Sequence, residues 1–441
     1  MNLIMIGRLF NLFYIFISET IKFYFFNLIN SLIYKLPKIE RLELLKCITN
    51  KLEKLNIVYV KVFQSLCLEK NILYKNEIDY LLKYTDNVPY KNEEINYKLL
   101  ELIESNYNIR LENSQPINSG IIGIVFKGLD SNTNNSKVVI KILKKDIEKK
   151  LNNAFNEIEC LTNIFSYIPF LNNLNLYKLF LDNKESLLNQ VNFVKEVDNI
   201  EIFKLKNKNL PEYRIPYVYK EITNRYNDII VMENIKGLTI NDIKDYDTSI
   251  KEALGYIFIK FGLISIIFTS TIHCDLHAGN VFFYINDENS GLPKYQIGLI
   301  DFGICSYPNN KNQHNYYIFF HDFLYKKDFS NKEKFFNVIK TIVQEKEYLE
   351  NLSFKEKEKF LLNIEECITK SSLVNDIDIT FIIKLNKILK NFNLNFSSEF
   401  NKLSLSLNSC NTLGKELCSS LINTQNKCIE ELSQINKLIE I

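Results

Sequence analysis

The chain has 441 residues, of which 46% are hydrophobic and 24% are charged. These values are typical of a globular protein of two or three domains and exclude a wholly disordered chain. The 54 Lys and Arg residues nearly balance the 52 Asp and Glu residues, so the charge gives no support to nucleic-acid binding. The nine cysteines form no CxxC pair, which argues against a zinc module or a disulfide scaffold and favours a reducing, intracellular compartment.

Residues 9–34 are apolar almost throughout, interrupted by Glu19 and Lys22. The uncharged runs on either side are shorter than the roughly 18 residues that a simple spanning helix needs. The segment has no small-residue cleavage site for secretion, and it lacks the Arg and Ser content of a mitochondrial transit peptide. Three interpretations stay open: an interfacial or re-entrant membrane anchor, a spanning helix, and a helix packed on its own protein.

In the rest of the chain the predicted secondary structure changes from region to region. Residues 36–110 predict helical segments. Short β-branched runs then predict strands, separated by residues 147–205 with helical spacing. After them come a strongly apolar predicted helix, two further strands and a helical remainder. The predicted strands are 121–126, 137–143, 216–221, 228–233, 281–285 and 296–300, and the later helical regions are 241–272 and 315–441.

This order predicts an α+β, bilobal, protein-kinase-like fold with an N-terminal helical extension. We divide the chain into an apolar N-terminal segment, a helical extension, an N-lobe with inserted helices and a helical C-lobe. The predicted bounds are 1–45, 46–110, 111–240 and 241–441.

The most informative string is HCDLHAGN at residues 273–280. Its spacing predicts that Asp275 orients or deprotonates a phosphoryl acceptor while Asn280 holds a metal ion bound to the nucleotide. About twenty residues later, a predicted strand ends at Asp301, followed by Phe302 and Gly303. An acidic residue at a strand end, followed by a glycine turn, is suited to hold Mg²⁺ against phosphate oxygens. In this order and spacing the two strings predict ATP- and Mg²⁺-dependent phosphoryl transfer.

A second group of residues predicts contacts with ATP. Lys141 ends the string VVIK, where its ammonium group is placed to reach the phosphates. The loop upstream carries two glycines that let the backbone approach phosphate oxygens. A Met followed by Glu, at the end of the strand at 228–233, is placed to line the adenine pocket. The predicted nucleotide-binding residues are Asn118, Ser119, Gly120, Gly123, Val125, Lys141, Met232 and Glu233.

These residues resemble the UbiB/aarF-like family of atypical kinases, whose eukaryotic members act in ubiquinone biosynthesis. The resemblance runs from about residue 50 to 340 and rests on HCDLHAGN, on the LIDFG string at 299–303, and on IPYVY followed by VME. It implies that Lys141, Glu196 and Asp275 form the catalytic set, with Glu196 as the partner of Lys141. It implies Asn280 and Asp301 as metal ligands.

The chain also departs from the family pattern. The family's KxGQ signature, part of a helical extension that restricts access to the site, corresponds here to Lys61 and Gln64 with Phe63 in place of Gly. The family's ExD carboxylates fall on Gln190 and Asn192. No APE-like string follows Asp301, so the sequence gives no sign of a peptide-binding platform.

The resemblance implies an ATP- and Mg²⁺-dependent atypical kinase or ATPase that acts at a membrane on lipid or quinone-biosynthesis partners. The apolar residues 9–34 would supply the membrane contact. The departures at residues 63, 190 and 192 keep open a second function, a nucleotide-binding pseudokinase that serves as a scaffold at a membrane. A small-molecule kinase of the aminoglycoside or choline type shares the lobe plan and is the third alternative.

Overall fold

A computed structural model describes residues 3–29, 40–62, 74–82, 88–166, 180, 181, 184, 187–371 and 379–439. The chain forms two compact units. The first comprises Met1–Val194 together with Tyr219–Glu233, and the second comprises Lys195–Val218 together with Asn234–Ile441.

The first unit contains six named helices and an antiparallel sheet in the order β1-β3-β4-β6, with β2 paired to β3. Its strands are β1 Ile109–Leu111, β2 Asn118–Ser119, β3 Gly123–Asp130, β4 Ser136–Leu143 and β6 Ile229–Glu233. Its helices are α1 Leu3–Ile29, α2 Arg41–Leu55, α3 Lys75–Leu82, α4 Tyr97–Tyr107, α5 Ile147–Ser166 and α7 Lys220–Arg225. Residues 57–62 are also helical.

The second unit is mostly helical and has two small sheets. Strand β5 pairs in parallel with β9, which pairs antiparallel with β8, and β7 pairs with β10. Its strands are β5 Tyr213–Arg214, β7 Ile272–His273, β8 Val281–Ile285, β9 Tyr295–Leu299 and β10 Cys305–Ser306. Its helices are α6 Phe193–Lys206, which begins in the first unit, α8 Thr248–Ile267, α9 Asn310–Ile318, α10 Lys332–Ile342, α11 Lys346–Asn351, α12 Phe354–Ser371, α13 Ile379–Asn391, α14 Ser398–Leu417 and α15 Leu421–Ile439, with a π-helical segment at Phe319–Tyr325.

Buried side chains at alternate positions of the strands form the core of the first unit. Side chains at every second position of a strand point to the same face, and one face of the sheet is buried against α4 and α7. The buried set includes Ile124, Phe126, Val138, Ile140, Ile142, Ile229 and Val231 of the strands, with Leu99, Ile103 and Ile222 of the helices. Because these positions occupy one face, the intervening residues of β3, β4 and β6 share the opposite face.

Most predicted strands are confirmed, but the one over 216–221 is wrong. The chain there forms α7 instead, from Lys220 onward. Pro216 has no N–H to donate to a sheet ladder. Ile222 instead reaches the core from the helix, and the Thr223 hydroxyl donates to Ile229 O (2.8 Å). The predicted helix over 241–272 is shorter at both ends, because residues 240–246 form turns and Ile272 already belongs to β7.

Helix α1 is packed on its own unit along one face. Leu9, Leu12 and Ile15 are buried, and α1 contacts α2 and α5. The carboxylate of the buried Glu19 accepts hydrogen bonds from Lys51 (2.6 Å) and Lys22 (3.1 Å). The opposite face exposes large apolar side chains, namely Phe10, Phe13, Tyr14, Ile17, Ile21, Tyr24, Phe25 and Phe26. By length and composition α1 is also able to cross a bilayer over Gly7–Asn27.

Helices α8 and α14 approach closely through small residues. A Cβ atom added at Gly262 would lie 2.8 Å from Cys410 Sγ, and one added at Gly414 would lie 2.6 Å from Ile259 Cδ1. The missing side chains therefore let the two helices interdigitate.

We expect Gly262→Ala to lower the free energy of unfolding by about 1–2 kcal/mol, because overpacking outweighs the better helix propensity of Ala. Adding Cys410→Ala removes the sulfur atom that the new methyl group meets. Urea denaturation of the two single variants and the double variant should therefore show a favourable coupling. Purely additive effects would contradict this packing.

Candidate functional site

Residues 273–280, the predicted catalytic loop, run from the end of β7 to the start of β8, and Asp301 follows β9. Strands β8 and β9 pair antiparallel with Val281 opposite Leu299, so the end of the loop and the residue before Asp301 are neighbours. Ile300 N–H donates to Asn280 O (3.0 Å), and Cys274 N–H donates to Ile304 O (2.9 Å). The two strings singled out in the sequence are therefore joined by backbone hydrogen bonds on both sides.

The side chain of His273 also links these two segments, through hydrogen bonds of its ring nitrogens. It has no exposed surface. Asp275 N–H donates to Nδ1 (3.3 Å), so Nδ1 is unprotonated and the proton resides on Nε2, which donates to Ile300 O (3.2 Å). Burial lowers the pKa of His273 from its ordinary value. The imidazole is thus a neutral crosslink of fixed tautomer between the catalytic loop and the segment that carries Asp301.

The Asn280 side chain is held in one orientation. It is buried, and its Nδ2 donates to Asp275 O (2.8 Å), which leaves Oδ1 as the atom available to a cation. Asp301 has a positive φ of 59°, and its Oδ1 accepts a hydrogen bond from Gly303 N–H (3.3 Å). A non-glycine residue in this backbone region is uncommon and is concentrated at functional sites.

Helix α6 supports the Asp-Phe-Gly turn. Asn199 Nδ2 donates to Phe302 O (2.7 Å), and the Tyr307 hydroxyl donates to Asn199 Oδ1 (2.7 Å). The Phe302 ring packs edge-on against Phe203 and His273, each with ring centroids 5.0 Å apart. The turn is therefore held by hydrogen bonds on its backbone and by aromatic packing on its side chain.

Glu196 lies on α6 one turn before Asn199 and is 1% exposed. Residues three apart share a helix face. The predicted pairing of Glu196 with Lys141 stays a prediction. Sequence reasoning missed Asn199 as a supporting residue, although its spacing from Glu196 is the signal that could have found it.

The thiols beside the loop are not nucleophiles. Burial raises the pKa of Cys274 to about 12, and burial also raises the pKa of Cys305 well above its usual value. A thiol is reactive as the thiolate. Both groups therefore stay protonated at neutral pH.

Lys141, in the first unit, lies on the sheet face opposite the core. It is directly opposite Val125 on β3 and Ile230 on β6, while Met232 is opposite Val139. Alternation places these side chains on one face. Three of the predicted nucleotide-binding residues, Val125, Lys141 and Met232, are thus brought together on this face. The Lys141 ammonium also lies 5.3 Å from the centroid of the Phe193 ring.

The glycine loop is a tight turn between β2 and β3. Gly120 N–H donates to Gly123 O (2.9 Å), and Asn118 and Ser119 pair with Val125 and Ile124. A Cβ added at Gly123 would lie 3.1 Å from Ile142 O, whereas one added at Gly120 meets nothing nearer than 3.8 Å. Gly123 is therefore needed for close packing on β4, while the space at Gly120 is open.

The remaining predicted residues fall elsewhere. Glu233 ends β6 and is the last residue of the first unit before the chain enters the second. Lys61 is half-buried in the helical segment 57–62. Gln64 and Phe63 lie outside the described residues.

The donor set fits a magnesium ion bound together with a nucleotide. In the described part of the chain, His, Cys, Asp and Glu side chains nowhere gather in threes to form a protein-only metal site. Mg²⁺ commonly takes one or two protein oxygen ligands and completes its shell with phosphate oxygens and water. Asn280 and Asp301 match that requirement.

Comparison with known proteins shows the family to which the chain belongs. Residues 86–335 match the family described as the ABC1 atypical kinase-like domain, and the chain belongs to this family. Its fold is accordingly α+β and protein-kinase-like, with helices preceding the sheet.

Individual relatives are similar over part of their length. A chloroplastic, uncharacterised aarF domain-containing protein kinase of Arabidopsis thaliana is 30% identical over 270 residues, which are 57% of this chain and 46% of that protein. A probable protein kinase UbiB of Tolumonas auensis is 24% identical over 269 residues, 59% of this chain and 48% of that protein. The chain thus spans about half the length of these curated relatives. A solved complex of Rv3197 with erythromycin, from Mycobacterium tuberculosis, is 15% identical and covers 84% of this chain and 90% of that chain at a TM-score of 0.44.

The support from α6 can be tested with Asn199→Asp, which replaces the amide donor by a carboxylate oxygen facing Phe302 O. We expect the free energy of unfolding to fall by about 2–4 kcal/mol. The buried carbonyl oxygen of Phe302 would lose its donor and face a negatively charged carboxylate oxygen, which repels it. Tyr307→Phe removes only the second hydrogen bond, so its loss should be about 1 kcal/mol. Chemical denaturation at neutral pH measures both, and equal losses would contradict the assigned role of Asn199.

Proposed function

We propose that the protein is an ATP- and Mg²⁺-dependent atypical kinase or ATPase of the UbiB type. The observation that carries this proposal is the His273 crosslink. It holds the loop of Asp275 and Asn280 against the segment that leads to Asp301. Phosphoryl transfer depends mainly on positioning and on neutralising charge, so a rigid frame for these three side chains is the feature that matters most.

Each residue has a proposed role. Asp275 orients the acceptor hydroxyl or water and accepts its proton, while Asn280 and Asp301 present oxygen atoms to the cation. When bound, Mg²⁺ neutralises the developing charge on the phosphate oxygens. Lys141, paired with Glu196 as the resemblance implies, neutralises charge on the phosphates, and the sheet face with Val125 and Met232 contacts the adenine.

ATP hydrolysis by Asp301→Asn and Asp275→Asn tests the proposal. We expect each variant to lose about 10²–10³-fold in kcat, as when one group that stabilises transition-state charge is removed. The exposed Asp287, which follows β8, supplies the matched control Asp287→Asn with wild-type turnover. Unchanged turnover in Asp301→Asn, with Mg²⁺ present, would contradict the assigned metal ligand.

Gln190 and Asn192 favour the second candidate, a nucleotide-binding pseudokinase scaffold. Both lie just before α6, which begins at Phe193. Both carry side-chain amides where the family has carboxylates. This candidate expects nucleotide binding in a thermal-shift measurement without turnover of the wild-type protein. Measurable turnover that requires Asp301 would exclude it.

We further propose that the exposed face of α1 binds a membrane surface, where lipids or quinone-biosynthesis proteins would be the partners. Contiguous exposed apolar surface marks an interaction site, and Phe and Tyr are suited to the lipid interface. The paired Glu19 and the ion pair of Arg8 with Glu157 (3.2 Å) hold the other face on the protein. This arrangement supports a helix lying in the interface plane.

We expect the double variant Ile21→Gln/Tyr24→Gln to reduce binding to phosphatidylcholine–phosphatidylglycerol vesicles by about tenfold or more, because apolar surface no longer leaves water on binding. The two side chains are 61% and 67% exposed, so the fold should tolerate the change. Leu205→Gln, at a 65% exposed position of α6, is the control. In a vesicle co-sedimentation assay, equal binding by all three proteins would contradict this surface.

A further inference from the structure

Phe193, the first residue of α6, places a buried aromatic ring beside residues assigned to nucleotide binding. It is 1% exposed and belongs to the first unit, together with Lys141 and Gly123. A turn in which Asn192 N–H donates to Asn189 O (3.2 Å) comes immediately before it. The point at which α6 begins therefore determines where this ring lies.

The Lys141 ammonium group lies over the Phe193 ring, 5.3 Å from its centroid. This separation is within the limit of about 6 Å for attraction between a cation and the face of an aromatic ring, and the attraction is stronger where water is excluded. Lysine has a flexible side chain with many rotamers to lose. A buried ring that attracts the ammonium group therefore restricts Lys141 before any nucleotide binds.

The same ring also meets the strand that follows the glycine loop. A Cβ atom added at Gly123 would lie 3.7 Å from Phe193 Cζ and 3.8 Å from Lys141 Cγ. Gly123 comes two positions before Val125, which is directly opposite Lys141, so alternation puts Gly123 and Lys141 on one face of the sheet. Phe193 therefore packs against that face at its glycine-loop end.

Met232 marks the other end of this face. It is opposite Val139, two positions before Lys141 on β4, whereas Gly123 is opposite the residue two positions after Lys141. Phe193 and Met232 are therefore placed toward opposite ends of the face, with Lys141 between them along β4.

We propose that Phe193 is a positioning residue for Lys141. The ring holds the ammonium group for contact with nucleotide phosphates, in addition to the predicted partner Glu196, which comes three residues later on the same helix. Phe193 acts through Lys141, so the inference rests on the proposed contact of Lys141 with the phosphates. A ring that served packing alone would be replaceable by leucine without an effect specific to phosphate binding.

Binding of the non-hydrolysable analogue adenylyl imidodiphosphate to the full chain, measured by isothermal titration with Mg²⁺ present, tests the proposal. We expect Phe193→Leu to weaken this binding about tenfold or more, since the face of the ring is lost. Binding of adenosine, which has no phosphates for Lys141 to meet, should change by less than about twofold. Phe155→Leu, which truncates another buried ring of the first unit, is the matched control with wild-type affinity for both ligands.

A double-variant cycle separates action through Lys141 from packing. In the Lys141→Met background, Phe193→Leu should not weaken analogue binding further, because the group that the ring holds is gone. Incorporation of 3,5-difluorophenylalanine at position 193 keeps a ring of similar volume but makes its face less negative. We expect this protein to bind the analogue with an affinity between those of the wild type and Phe193→Leu. Thermal denaturation checks that each variant is folded at the temperature of the titration.

Three results would overturn the proposal while the wild-type protein binds the analogue. They are additive losses in the double variant, wild-type affinity in the difluorinated protein, and equal weakening of analogue and adenosine binding by Phe193→Leu. Each would assign Phe193 to packing alone and leave the proposed function standing. A wild-type protein that does not bind the analogue would contradict the proposed function, and this inference with it.

Discussion

The buried imidazole of His273 is the constraint on which the second unit's site depends. A ring with no exposure and two hydrogen-bond partners cannot change its protonation without breaking one of them, because both nitrogens are already used. It links the backbone of Asp275 to that of Ile300, and so the approach to Asp301 is fixed relative to the loop. The backbone positions of Asp275, Asn280 and Asp301 are then set largely by this link.

Contacts around Phe302 make this frame rigid. Phe302 is enclosed by Phe203 and His273, and its carbonyl oxygen accepts from Asn199. Because α6 supplies both Asn199 and Glu196, its position is coupled to the Asp-Phe-Gly turn.

Much of this could be predicted from the sequence, and the failures have physical causes. β4 and β8 were predictable because alternation and β-branching give a strong local signal. The pattern failed at 216–221, where Tyr217, Val218 and Tyr219 precede a short helix whose Ile222 reaches the sheet's core. Hydrogen bonds such as that of Asn199 join residues far apart in the chain, and a single sequence carries no signal for them beyond helical spacing.

In the C-terminal helical region, too, contacts between distant residues could not be predicted from the sequence. Helix α14 carries many Ser and Asn residues among its leucines, yet it packs closely on α8 because Gly262 and Gly414 make room for Cys410 and Ile259 of the facing helix. Composition alone describes such a segment poorly, since the stabilising contact is a fit between two helices.

The state of His273 is the most direct test of this frame. With four histidines in the chain, ¹⁵N chemical shifts of the imidazole nitrogens can be assigned by comparison with His273→Gln. We expect the His273 ring to remain neutral, with the proton on Nε2, from pH 8 down to well below the ordinary histidine pKa of about 6.5. A ring that titrates near that value, or that carries its proton on Nδ1, would contradict the crosslink and the placement of Asp275 and Asp301 that depends on it.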